Sequence, residues 1–322
     1  MYDLIVIGSG VAGLSTAIYA GRYRMRTLVI GKEPGGETAS AGTIENYPGV
    51  KAVDGYDLVK TMREQAESLG VEIVNGDVSK VTHDGHCFSV VTGEKTYETH
   101  TLTLAIGTER RRLGLPNEKE LTGKGVHYCM TCDGPVYAGK TIAIVGGGDA
   151  SVKGANLAAE YAKKIYLISR AKELTAEPIN LERFKALGDQ VDIIVENEVK
   201  EIVGEGQLKK ILLAHPHKNS PELFVDGLFI EVGAMQNTAL PASLGVEFDE
   251  RGYVKVDTAM KTNIDGVFAA GDITNHFGSF KQDITAAAQG AVAATSAYND
   301  HKTHGELCGI HAKPGKTLAV KN

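Results

Sequence analysis

The chain has 322 residues, enough for two cores of ordinary domain size. Apolar residues make up 43% and charged residues 23%, the balance of a soluble globular protein. A formal net charge of -6 argues against nucleic acid as a partner, because a phosphate backbone selects a basic surface. No apolar run is long enough to span a bilayer, so no membrane partner is expected.

The chain opens directly on an apolar run, residues 2–7, with no charged leader before it. That start predicts a cytoplasmic protein without a secretory signal. Leu4, Ile5, Val6 and Ile7 form a continuous apolar stretch, as in a parallel strand covered on both faces. Gly8, Gly10 and Gly13 follow, with Val11 and Ala12 between them, and a periodic helix then runs to about Arg22. Residues 27–30 read as the next strand. A strand, a turn of three spaced glycines and a helix form a dinucleotide-binding unit. The first Gly makes the turn and the second lets backbone approach a pyrophosphate. The third lets helix and strand pack closely. An acid roughly 20 residues beyond such a turn holds the ribose, and Glu33 takes that place.

Residues 71–107 alternate as strands separated by Gly and Asp turns. Within them Cys87 precedes Phe88, Ser89 and Val90, and is expected to be a buried, inert thiol. Cys129-Met130-Thr131-Cys132 follows, the one closely spaced pair among four cysteines. Two thiols at this spacing close a short disulfide ring that can exchange with a partner disulfide. The competing reading is half of a zinc site, which needs a second ligand pair. So few cysteines in so long a chain fit a reducing compartment. Asp133 follows at once, either as the acid that passes a proton to a sulfur or as a plain turn residue before Gly134.

A second strand–turn–helix unit begins at Lys140. Its strand is residues 141–145, its turn holds Gly146, Gly148 and Asp149, and its helix covers residues 152–161. Ser151 stands in the third small position. Residues 165–168 form the next strand, followed by Ser169, Arg170, Ala171 and Lys172. No acid occupies position 169, so a strict NAD preference is not indicated. Ser169 and Arg170 offer a hydroxyl and a guanidinium for a 2′-phosphate. The alternative is a solvated charge after a degenerate site.

Residues 266–270 form one more apolar strand, ending at Gly271 and Asp272, and residues 285–298 form an Ala-rich helix. The expected architecture is α/β, with two Rossmann-like domains, the second inserted into the first. The expected bounds are residues 1–112 with 243–300 for the first domain and 113–242 for the second. A polar tail, 301–322, completes the chain. The chain end carries His301, His304, Cys308 and His311 at irregular spacing, and no metal site is expected from them.

In their order along the chain, several groups of residues resemble the low-molecular-weight thioredoxin reductases. They are the glycines of 8–13, Gly35-Gly36, the run Glu45-Asn46-Tyr47-Pro48-Gly49, Cys129 to Gly134, Gly146 to Asp149, and Gly266 to Asp272. The resemblance covers residues 2 to about 300. It implies a homodimer whose first domain binds FAD and whose inserted domain binds NADPH and carries the redox pair next to the flavin. It further implies that Gly8, Gly10, Val11, Ala12, Gly13 and Glu33 hold the ADP half of FAD. Gly36, Glu37 and Asn46 approach the flavin side, and Val78 supplies the adenine-contacting backbone. Gly271 and Asp272 reach the ribityl region, and Lys281, Gln282 and Asp283 line the ring. By the same resemblance Cys132 faces the flavin, Cys129 attacks thioredoxin or a thioredoxin-like protein, and Asp133 is the acid.

The chain departs from that family at several positions. Ser169, Arg170 and Ala171 stand where His-Arg-Arg is usual, and Thr175 lies near the place of a further Arg. Glu37 replaces a common Gln, and Lys281 a common Arg. Relatives with a degenerate nicotinamide site take electrons from ferredoxin or a reduced deazaflavin. The readings from sequence are therefore an NADPH-dependent thioredoxin-disulfide reductase, the same enzyme fed by ferredoxin or deazaflavin, and a flavin–thiol redox sensor.

Overall fold

A computed structural model of the chain describes residues 1–304, with Asp84, His86, Ser279 and the side chain of His304 excepted. The Cα trace divides into two compact units. Unit 1 holds residues 1–108 and the described chain after residue 235, and unit 2 holds residues 109–235. From sequence the joins are expected at 112/113 and 242/243. The contacts place both joins a few residues earlier, where short strands carry the chain out and back.

Unit 1 starts with β1 (Tyr2–Ile7), whose residues from Leu4 onward are buried. α1 (Val11–Arg22) and β2 (Thr27–Gly31) complete the first βαβ unit. The turn between β1 and α1 cannot carry a side chain at its start. Gly8 has φ +110°, and a Cβ there would lie 2.1 Å from the Ala105 carbonyl oxygen. A small hairpin, β3 (Thr43–Ile44) and β4 (Val53–Asp54), precedes α2 (Gly55–Ser68). The Asp54 carboxylate caps α2 by accepting from the Tyr56 N–H at 2.9 Å. The strands β5 (Glu72–Asn75), β6 (Val78–His83), β7 (Phe88–Thr92) and β8 (Lys95–Leu104) follow. Strand order is β5-β2-β1-β8-β7-β6. β5, β2, β1 and β8 run parallel, and β6, β7 and β8 form an antiparallel meander. β9 (Thr108–Arg110) leads out of the unit.

Unit 2 contains β10 (Val126–His127), the short α3 (Met130–Asp133), β11 (Thr141–Val145), α4 (Asp149–Ala158) and β12 (Lys164–Ile168). α5 (Pro178–Lys185) and β13 (Val191–Ile194) come next. The antiparallel strands β14 (Val199–Gly204), β15 (Leu208–His217) and β16 (Ser220–Phe224) form a separate sheet. β17 (Gly227–Ile230) returns to the main sheet and β18 (Ala234–Gln236) leads back out. That main sheet has the order β10-β17-β11-β12-β13, parallel throughout. The helix after the second glycine turn, expected over residues 152–161, instead begins at Asp149 and ends at Ala158. Ser151 and Val152 are buried and already belong to its packed face.

The chain re-enters unit 1 through α6 (Ala239–Ser243), then β19 (Val267–Ala269) and α7 (Asp283–His304). β19 adds parallel to the last residues of β8, Val267 opposite Leu102 and Ala269 opposite Leu104. Ala293, Ala294 and Ala297 of α7 are fully buried in the cluster that includes Leu14, Ala17 and Ile18 of α1. The Ser15 hydroxyl donates to the Ala287 carbonyl at 2.7 Å, and Tyr23 stacks on Tyr298. The helix expected to stop near residue 298 continues through residue 304. The Thr303 hydroxyl donates to the Asn299 carbonyl, and Lys302 lies over the Tyr298 ring. Residues 301–304, expected from sequence to open a polar tail, belong to α7. Two parallel-sheet units, one inserted in the other and each opened by a strand–glycine turn–helix, make this an α/β protein of Rossmann-like build.

One carboxylate organises the entry to unit 2. Glu118 is 3% exposed and accepts from the N–H groups of Leu113, Gly114 and Leu115 and from the Tyr128 hydroxyl. Its removal leaves three part-buried backbone donors and a tyrosine hydroxyl without their acceptor. Glu118→Ala is expected to cost about 3 kcal/mol, read from urea unfolding followed by far-UV circular dichroism.

Candidate functional site

In unit 1 the first glycine turn is shaped for a phosphate. A Cβ on Gly13 would meet the Gly8 carbonyl oxygen at 2.0 Å, so helix and strand touch through backbone. Gly10 faces space instead, with Gly35 and Gly36 no nearer than 3.9 Å to the position of a Cβ. α1 opens at Gly10 with no side chain capping its first N–H groups, so those donors and the helix dipole face outward. Val11 and Ala12 begin the helix and are buried. Glu33 lies against this turn, its carbonyl accepting from the Ser9 hydroxyl at 3.0 Å and from the Gly36 N–H at 3.1 Å. Val78 opens β6 and packs against the core cluster of Ile5, Ile7 and Leu28.

Gly271, Asp272, Lys281, Gln282, Asp283, Glu37 and Asn46 form the second part of the same unit. The Asn46 amide donates to Gln282 Oε1 at 2.9 Å, and the Thr38 hydroxyl donates to Asp283 Oδ1 at 2.7 Å. Asp272 is the most perturbed carboxyl there. Burial pushes its pKa up, Lys281 opposes that, and Asp283 and Glu37 add to it, leaving it at about 6. Burial also lowers the Lys281 pKa, and its ammonium lies 4.3 Å from the Tyr253 ring centroid and donates to the Thr274 carbonyl. Sequence reasoning missed Gln289. This 3% exposed amide accepts from the Gly271 N–H at 2.7 Å and from the Thr274 hydroxyl at 2.8 Å, which fixes the backbone that presents Asp272. Its only sequence signal was a polar residue on the Ala-rich face of a helix. An uncapped helix start facing an open turn, together with a partly buried carboxyl, fits the diphosphate and polyol of FAD.

In unit 2, Cys129 and Cys132 form a disulfide with Cα atoms 5.3 Å apart. Cys129 is half-buried and Cys132 exposed. The Cys132 N–H donates to Cys129 Sγ at 3.1 Å. Asp133 Oδ2 lies 3.1 Å from Nδ1 of His127, and His127 Nε2 is 2.7 Å from the Tyr137 hydroxyl. His127 is buried and stacked on Phe229. Burial raises the Tyr137 pKa, and the Asp133 and Asp226 carboxylates add to it, so its hydroxyl stays protonated. Asp133 is therefore the outer end of a Tyr137–His127–Asp133 chain, not a plain turn residue. His127 escaped the sequence reading, because a single His after an apolar residue carries no periodic signal.

The second glycine turn repeats the first. Gly146 has φ +148°, and a Cβ there would lie 2.3 Å from the Glu231 carbonyl oxygen. Gly148 faces open space, and α4 begins there without a side-chain cap. Ser169 is buried, its hydroxyl accepting from the Ala171 N–H at 3.2 Å, and Arg170 is exposed. Asp149 is already engaged, accepting on Oδ1 from the Glu177 N–H at 3.1 Å and the Asn180 amide at 2.8 Å. The Thr175 N–H donates to the Gly147 carbonyl at 2.7 Å, which folds the loop after β12 back over the turn. Cys87 is not the inert free thiol expected from sequence. It is buried, as expected, but disulfide-bonded. His311 and Cys308 lie outside the described residues.

Two dinucleotide-type turns on separate units, with a short-ring disulfide carried on the inserted one, define a disulfide oxidoreductase. The chain belongs to the pyridine nucleotide-disulphide oxidoreductase family, which it matches over residues 2–294. It is 39% identical over 302 residues to a thioredoxin reductase of Listeria innocua, covering 92% of this chain and 93% of that one. Its structure is similar to a thioredoxin reductase of Lactococcus lactis, with a TM-score of 0.88 at 32% identity over 94% of this chain and 100% of that one. It is also similar to the enzyme of T. acidophilum, with a TM-score of 0.86 at 33% identity over 94% and 99%.

The raised Asp272 pKa has a measurable sign. The folded state holds this proton more tightly than the unfolded chain does. The stability it contributes is full below pH about 4 and is lost as pH rises through about 6. In flavin-free protein, Asp272→Asn escapes that loss. Its stability relative to wild type is expected to grow between pH 4 and about 6.5, levelling at about 2–3 kcal/mol. Thermal melts across pH 4–8 check this, and a difference independent of pH contradicts it.

Proposed function

We propose that this chain is an FAD-dependent thioredoxin-disulfide reductase, passing electrons from NADPH through the Cys129–Cys132 pair to thioredoxin or a thioredoxin-like protein. The observation that carries the reading is the disulfide with Asp133 and its His127–Tyr137 support, on a chain whose other unit presents a turn fitted to FAD. Gly10, Gly36 and the α1 N-terminus would hold the diphosphate of FAD, and Asp272 its polyol. When bound, FAD supplies the two electrons that open the disulfide.

Opening the S–S bond yields two sulfurs that together require protons. Asp133, a half-exposed carboxyl 3.1 Å from Nδ1 of His127, is placed to hand one over. The Cys132 N–H supports a thiolate on Cys129 through a charge-assisted hydrogen bond. That thiolate attacks one sulfur of the substrate disulfide and releases the other as a thiolate. Cys132 then attacks Cys129, freeing the reduced substrate and restoring the internal disulfide. Among the described residues no helix is long and apolar enough to cross a membrane. The homodimer implied by the family resemblance belongs to this proposal, as does action in the cytoplasm.

NADPH is the favoured donor because α4 repeats the uncapped, open glycine start of α1. A ferredoxin or deazaflavin donor is the second reading. The loop tied to Gly147 by Thr175, and the single Arg170 after β12, favour it over a full 2′-phosphate clamp. Anaerobic titration separates the two. Rapid flavin bleaching by micromolar NADPH supports the first reading, and bleaching by reduced ferredoxin alone supports the second. Cys132→Ser is expected to retain flavin and lose thioredoxin reduction by at least about 10³-fold. Asp133→Asn should slow turnover by about 10²-fold while leaving the flavin spectrum unchanged. Full thioredoxin turnover by Cys132→Ser would exclude the reaction.

A further inference from the structure

Asp3, His100 and His301 are far apart in sequence and meet in unit 1. Asp3 is the second residue of β1, and His100 lies on β8. The two strands are in parallel register, Tyr2 opposite Thr99 and Leu4 opposite Thr101, which brings Asp3 level with His100. His301 comes from the last turns of α7. One ligating atom from each of the three lies within 4.8 Å of the other two.

The Asp3 carboxylate is oriented. Its Oδ2 accepts from the Arg26 N–H at 2.7 Å, and its backbone carbonyl accepts from the Thr101 hydroxyl at 2.7 Å. This leaves Oδ1 turned to His301, 3.6 Å from Nε2. The His100 and His301 rings stack at 5.3 Å with 26° between their planes. The nitrogens of His100 and Nδ1 of His301 are shielded from solvent, and His301 Nδ1 makes no hydrogen bond.

We propose that Asp3, His100 and His301 form a binding site for one zinc-class divalent cation that ties β1 and β8 to the end of α7. Two imidazoles and one carboxylate are the nitrogen–oxygen set that selects zinc and its neighbours over magnesium or calcium, which prefer oxygen alone. With bonds of about 2.0–2.2 Å, two ligands on one tetrahedral ion sit about 3.4 Å apart. The Asp3–His301 pair is close to that separation at 3.6 Å, and every pair already lies within 4.8 Å, so side-chain rotation suffices to close the set. The Arg26 N–H on Oδ2 is the outer hydrogen bond that a metal-binding carboxylate needs to keep its aim. Three protein ligands leave a fourth position for water.

The test uses the full-length flavoprotein with the Cys129–Cys132 disulfide oxidised, so that thiols do not compete for the metal. Zinc chloride is added, excess is removed by gel filtration, and bound zinc is counted by elemental analysis alongside the thermal midpoint. Wild type is expected to retain roughly one zinc per chain and to melt higher as free zinc rises. His301→Gln and Asp3→Asn should each weaken zinc binding at least about tenfold and abolish the rise in midpoint, with flavin content and circular dichroism unchanged. Asp3→Asn keeps a side-chain oxygen for Arg26 and serves if His301→Gln disturbs the helix end. Wild-type protein that retains no zinc, or zinc retained equally by wild type and both variants, overturns the site.

Discussion

The contact that everything else depends on is backbone against backbone at the two glycine turns. At Gly8 a Cβ would fall 2.1 Å from the Ala105 oxygen, and at Gly146 it would fall 2.3 Å from the Glu231 oxygen. In both places a loop from the neighbouring strand fills the space that any other residue would need. That packing sets the angle at which α1 and α4 leave their sheets, and so where their uncapped N–H groups point. Each turn then has an open member, Gly10 or Gly148, at the start of its helix. The dinucleotide-type turn is thus a consequence of close packing: Gly8 and Gly146 allow the crowding, and Gly10 and Gly148 leave the helix donors uncovered.

The surroundings of the disulfide on the inserted unit follow a different principle, a short polar chain that leads from a buried phenol through His127 to a half-exposed carboxyl. Tyr137 keeps its proton because burial and nearby carboxylates raise its pKa. It is therefore an available donor to His127 Nε2, which leaves Nδ1 to face Asp133. His127 stays in place through its stack on Phe229. Asp133 is positioned by His127, just before the disulfide ring, and through it by Tyr137, just after the ring. The opposite strategy holds at Asp272 in unit 1, where burial beside Asp283 and Glu37 makes a carboxyl reluctant to ionise. Gln289 holds the turn that presents it.

Much of this was legible in the linear sequence because it is local. The apolar run of β1, the spaced glycines of both turns and the Cys129–Cys132 pair are patterns of nearest neighbours. They specify elements whose geometry repeats wherever the pattern occurs. Element ends were read less well. α7 runs past Asn299 because Tyr298 and Thr303 find partners, and α4 starts at Asp149 because Ser151 and Val152 are buried. Propensity does not carry that information.

The sequence by itself determined the two strand–turn–helix units, the insertion of one into the other and the redox pair, since each follows from residue spacing and steric limits on the backbone. Only the tertiary structure decided which distant side chains meet. It brought Gln289 to Gly271, His127 to Asp133, Asp149 to the start of α5, and Asp3 and His100 to His301. It also showed Cys87 to be covalently linked. These pairings depend on strand register and helix crossing, which place residues tens to hundreds of positions apart within a few ångströms, and no local pattern encodes that proximity.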